Sequence, residues 1–123
     1  MVSSADIEKS MRISKLLDVY GALLSQKQNE IISMYYNDDL SLGEISELLG
    51  LTRQGVRDAI IKGAGLLSDF EEKLGVLAER ERYAAVTGEL LCEIKSLRGA
   101  AYIDVNAVYE RLTALLCDLC SEI

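Results

Sequence analysis

Thr52, Arg53, Gln54 and Arg57 are the side chains whose types and spacing best suit a defined chemistry in this chain, the reading of nucleic-acid bases. Arginine pairs with guanine, and glutamine with adenine, through two hydrogen bonds each. At the start of a helix these four positions fall within about one and a half turns and can reach a groove together. Lys62 and Lys27 add charge for phosphate. The Ser41 hydroxyl, with backbone N–H groups at the start of a helix, can contact phosphate without charge. Asp58 stands among them with the wrong sign.

Other chemistries find little support. The chain has no histidine, no nucleophile with a neighbouring base and no glycine loop for phosphates, so the sequence reads as non-enzymatic and without cofactor or metal. Cys117-Asp118-Leu119-Cys120 has the two-residue spacing of zinc and redox sites, but lacks further ligands. With Cys92 it makes an odd set of three, which reads as small apolar residues on helix faces rather than a disulfide framework. The acidic pairs Asp38-Asp39 and Glu71-Glu72 are adjacent, and adjacent residues on a helix do not face each other.

The elements that must position these groups are all helical. The 123 residues contain no proline, which favours long helices, and suffice for one domain with a real core. Ile7, Met11, Leu16, Leu17, Tyr20 and Leu24 predict a first amphipathic helix from about Asp6 to Leu23. Ser25 to Gln28 is a capping box opening a second, whose buried stripe would be Ile31, Ile32, Tyr35 and Tyr36. Ser41 to Glu44 is another box, opening a third that Gly50 ends. Thr52 caps a fourth, with Val56, Ala59, Ile60 and Ala64 inward and three glycines, Gly55, Gly63 and Gly65, weakening it.

From Leu66 the pattern changes to apolar steps of three and four through Leu67, Phe70, Leu74 and Leu77, then Tyr83, Val86, Leu90, Ile94 and Leu97. It reads as one long helix with a polar waist or two helices meeting near Gly75 to Glu79. Arg98 to Ala101 is the expected loop. Asp104 would cap a C-terminal amphipathic helix with Val105, Val108, Leu112, Leu115, Leu116 and Leu119. The expected organisation is a helix-turn-helix core over residues 1–66 and a packing or dimerisation segment over residues 67–123.

Residues 42–62 satisfy the constraints of a helix-turn-helix. Ile45, Leu49, Leu51, Val56 and Ala59 fall at buried positions, Ser46 where the helices touch and a small side chain is needed, and Gly50 at the turn. The stretches Leu24 to Gln28, Tyr35-Tyr36, Leu40 to Ser46 and Gly50 to Val56 resemble region 4 of bacterial sigma factors. Adding Glu8-Lys9, Arg53-Gln54, Asp58 and Phe70 to Leu74, residues 6–77 are similar to the YlxM family of sigma-region-4-like proteins. That resemblance implies an all-α fold: a sigma-region-4-like helix-turn-helix bundle followed by a long helix and a C-terminal helix.

It also implies an association with the signal recognition particle, since such proteins are typically encoded beside its GTPases, and a regulatory role in that targeting pathway. The GTPases would then be candidate partners. The chain departs from the family where members carry Thr-Pro at Ser25-Gln26, arginine near Asn29 and a basic residue at or beside Gly63.

The net charge of −7 opposes polyanion binding over the surface as a whole, so any DNA or structured RNA must meet a local basic face. Arg53, Arg57 and Lys62 as three phosphate contacts give a salt slope of about −2.7, roughly a 40-fold affinity loss between ~50 and ~200 mM salt. That foundation is weak for a monomer. A homodimer presenting two recognition helices, with Leu112, Leu115 and Leu119 as core contacts, is the expected remedy. The alternative is a protein adaptor that docks on a signal recognition particle GTPase and binds no nucleic acid. No apolar run reaches the ~18 residues of a membrane span and the N-terminus lacks a basic-then-apolar leader, so no membrane insertion and a cytoplasmic location are expected.

Overall fold

The computed structural model describes residues 3–120, and the compact units within it divide between Leu77 and Ala78. Helix α1 spans Ser4–Tyr20 and runs into a 3₁₀ turn at Gly21–Leu23. α2 is Gln26–Tyr36, α3 Leu42–Leu49 and α4 Arg53–Leu74. α5 is Val76–Ser96 and α6 Val105–Cys120, with no strand among the described residues.

Local chemistry sets most of these starts. Ser25 and Ser41 form the expected capping boxes with Gln28 and Glu44, and the Thr52 hydroxyl accepts from the backbone N–H of Gly55. Ser3 does the same with Asp6, which begins α1 earlier than its apolar pattern suggested. Asp104 accepts from the N–H groups of Asn106 and Ala107 at 3.1 and 3.2 Å and so starts α6.

The first unit holds two packed clusters. In one, Ile13, Leu16, Leu17, Tyr20 and Leu24 meet Ile32, Leu67 and Leu77. In the other, Ile31 joins Ile45, Val56 and Ile60. Ile13 therefore belongs to the buried face of α1, whereas Ile7 and Met11 do not, Met11 being 56% exposed. At 100° per residue those two side chains point about 120–160° away from Ile13. They border a surface groove with Ser14, Tyr36 and Asp39 instead.

α4 is continuous for 22 residues in spite of its glycines. Position 66, where the sequence suggested a division, lies inside it. Burial of Leu67 ties the second half of this helix to the first cluster, and such tertiary packing outweighs a weak local propensity. Gly63 is itself a packing residue, because a Cβ there would overlap Cδ1 of Ile32 on α2.

A buried polar joint closes the unit. The Tyr20 hydroxyl donates to the Glu71 carboxylate at 2.5 Å and accepts from the Val76 N–H at 3.1 Å, while Glu71 accepts from the Leu77 N–H at 3.1 Å. Glu71 thus places a carboxylate on the Leu77 N–H in the first turn of α5, where negative charge is favoured. Burial, and next the bond to Glu71, hold the Tyr20 phenol above its ordinary pKa.

The second unit is a hairpin of α5 and α6. The Arg111 guanidinium bonds both Glu93 oxygens at 3.2 Å, and Arg82 donates to the Asp118 carbonyl at 3.2 Å. α6 has no buried residue.

Candidate nucleic-acid interface

The helix-turn-helix is built by α3, a tight turn and the start of α4. Ile45 and Val56 are fully buried against each other's helices, with Leu49, Leu51 and Ala59 half-buried around them. Ser46 is buried where α3 meets α4, and its hydroxyl donates to the Gly43 carbonyl at 2.7 Å. Gly50 takes φ 67°, a left-handed conformation that costs other residues strain. This bracing leaves the outer side of α4 in solvent.

Thr52, Arg53, Gln54 and Arg57 lie together at the exposed amino end of α4. The Arg53 guanidinium folds back over α3, close enough that a Cβ on Gly43 would sit 3.1 Å from its Nη2. Arg53 is thereby brought near the α3 amino end that Ser41 caps. There the Ser41 hydroxyl already accepts from the Glu44 N–H at 3.1 Å, which leaves its O–H proton to donate. The Glu44 carboxylate at the same helix end opposes an anion.

Gln54 is also engaged, since its Nε2 donates to Asp58 Oδ1 at 2.9 Å. Lys62 is exposed but nine residues beyond Arg53, which puts it about 13.5 Å further along α4 and half a turn round. It does not share an edge with Arg53 and Arg57. Lys27 does approach the motif: it lines, with Ser25, Gln28, Gly50, Thr52 and Gly55, a cleft of about 620 Å³ between the starts of α2 and α4.

A second groove, of about 310 Å³, lies on the other flank of Arg57 and is lined by Tyr35, Tyr36, Leu42, Ile60 and Ile61. Tyr35 was expected to be buried. It is 37% exposed, edge-on to Tyr36 with ring centroids 4.9 Å apart. Burial raises the Tyr36 pKa. Ile61 is 61% exposed although nothing in the sequence marked it; its place on the outer face of α4, one turn after Arg57, was the available signal.

Elsewhere, Leu112, Leu115 and Leu119 are half-buried on α6, and Cys92, Cys117 and Cys120 are exposed free thiols. No group of three or more metal-binding side chains comes together among the described residues, and no helix there is long and apolar enough to cross a membrane.

A sequence profile of helix-turn-helix proteins described as YlxM / p13 like matches residues 7–100. UPF0122 protein BH2485 of Halalkalibacterium halodurans is 39% identical over 110 residues, covering 89% of this chain and 93% of the relative. UPF0122 protein GK1195 of Geobacillus kaustophilus is 40% identical over 109 residues, covering 89% and 98%. A UPF0122 protein of Bacillus cereus is 44% identical over 90 residues, covering 71% and 82%.

Proposed function

Because the chain belongs to the YlxM / p13 like family of helix-turn-helix proteins, we propose that it is a non-enzymatic regulatory protein of the cytoplasm that binds DNA or structured RNA weakly through the start of α4. Its setting would be the signal recognition particle pathway, a role that rests on the family resemblance and not on residue chemistry. The observation that carries the binding is the exposed set Thr52, Arg53, Gln54 and Arg57 on a helix braced by the Ile45–Val56 core. Such a set reaches base edges once the helix enters a groove.

The test is a mobility shift at low salt against genomic DNA and against the particle RNA. Arg53→Ala with Arg57→Ala should weaken binding at least tenfold and flatten the salt slope by about 1.8. Binding unchanged by the double substitution would rule this reading out.

A second reading, a protein adaptor docked on a signal recognition particle GTPase, is favoured by the apolar groove beside Arg57 with Tyr35 and Ile61 at its rim. Exposed apolar surface beside polar residues suits a protein contact. Ile61→Glu should then abolish capture of the GTPase and any change in GTP hydrolysis, and the wild-type protein should give no mobility shift with either nucleic acid. A wild-type protein that neither captures the GTPase nor alters its turnover removes this reading.

A further inference from the structure

α6 carries more apolar surface than its hairpin can cover. Val108, Leu112, Leu115 and Leu119 recur in steps of four, three and four and are half-buried. A second stripe with the same steps, Val105, Tyr109, Leu112 and Leu116, shares the half-buried Leu112 with the first and otherwise lies open, with Val105 72%, Tyr109 69% and Leu116 50% exposed. On α5, Leu91 and Ile94, one turn apart, are also exposed. None of these five open positions is charged. Two adjoining stripes on one helix are the pattern of a bundle helix with two helical neighbours, and the unit beyond Leu77 supplies α6 with α5 alone.

We infer that the open face formed by Leu91, Ile94, Val105, Tyr109 and Leu116 is covered by the same face of a second copy of the chain, giving a four-helix bundle of two hairpins. Three considerations select a second copy. First, α6 has no buried residue, so its cover is needed whenever the chain is folded, and a second copy is always present in equal number. Second, the five side chains, with Tyr102 and Ile103 in the adjoining loop, expose apolar area on the order of the ~800 Å² per partner that a standard interface buries. Third, steps of three and four suit helices crossing at about 20°, the geometry of such bundles. The inference revises which residues make the dimer: Leu112 joins both stripes, while Leu115 and Leu119 lie on the half-buried one. It holds whether or not the protein binds nucleic acid.

Light scattering of the full chain at tens of micromolar should give twice the chain mass, and Tyr109→Glu with Leu116→Glu should give the single mass. A wild-type chain of single mass overturns the inference, and so does a double variant that stays at twice the mass. Should the variant aggregate, hydrogen exchange on the wild-type protein decides. Amide protection in Val105–Leu116 should rise with protein concentration while that in Ile13–Tyr20 stays constant. Concentration-independent protection of α6 would refute the shared bundle.

Discussion

Asp58 shapes the candidate interface as much as the arginines do. It is exposed, one turn after Gln54, and takes the Gln54 amide as a donor. A bound adenine would have to displace that bond, and a nearby phosphate would be repelled. At ~8 Å in water one such repulsion is about 0.5 kcal/mol, so Asp58→Asn should tighten binding roughly two- to threefold at low salt and progressively less as salt is added. Titration by fluorescence anisotropy at two ionic strengths would measure it, and weaker binding by the variant would count against this face. The cations and the acid were legible in the sequence because residue type alone carries their chemistry. What they touch was not: the Gln54–Asp58 pair follows from helical spacing, but Arg53 lying over Gly43 requires knowing how α3 and α4 cross.

The same division holds for the elements. Caps were legible because a capping box is local, its partners three residues apart, as at Ser25 and Ser41. The continuity of α4 and the buried face of α1 were not, since both are set by contacts distant in sequence, Leu67 with α1 and Ile13 with its cluster. The Tyr20–Glu71 bond joins residues 51 apart and left no local signature. Gly63 and Gly65 make the contrast testable within one helix. Gly65 has nothing within 4 Å of an added Cβ, whereas Gly63 would strike Ile32. Gly65→Ala should stabilise by up to about 1 kcal/mol through helix propensity. Gly63→Ala should lose that gain and destabilise by about 1–2 kcal/mol net through overpacking, since Ile32 is fully enclosed. Ile32→Val in the Gly63→Ala background should restore part of the loss, as read by urea unfolding midpoints. Equal effects of the two alanines would show that α2 does not press on α4 as described.

Across the whole molecule, stability is unevenly held. Every buried apolar side chain among the described residues lies at or before Leu77, and that last one sits beyond the end of α4, at the start of α5. Val76 and Leu77 also donate their N–H groups to the Tyr20–Glu71 joint. The end of the first unit should therefore be sharp. A chain ending at Leu77 should unfold cooperatively with a stability close to that of the first unit in the full protein. One ending at Gly75 loses the burial of Leu77, worth about 1.5–3 kcal/mol, and takes the Leu77 N–H away from the buried Glu71 carboxylate, a further ~1–3 kcal/mol for a hydrogen bond to a charged group. For a domain of this size that amounts to a fall in midpoint temperature of more than about 10 °C. The remainder, beginning at Ala78, has no comparable core, and its helical signal should appear only as its concentration is raised. Thermal scans of the two truncations followed by circular dichroism would separate the cases; similar midpoints for both would mean that Leu77 and the buried carboxylate do not close this unit.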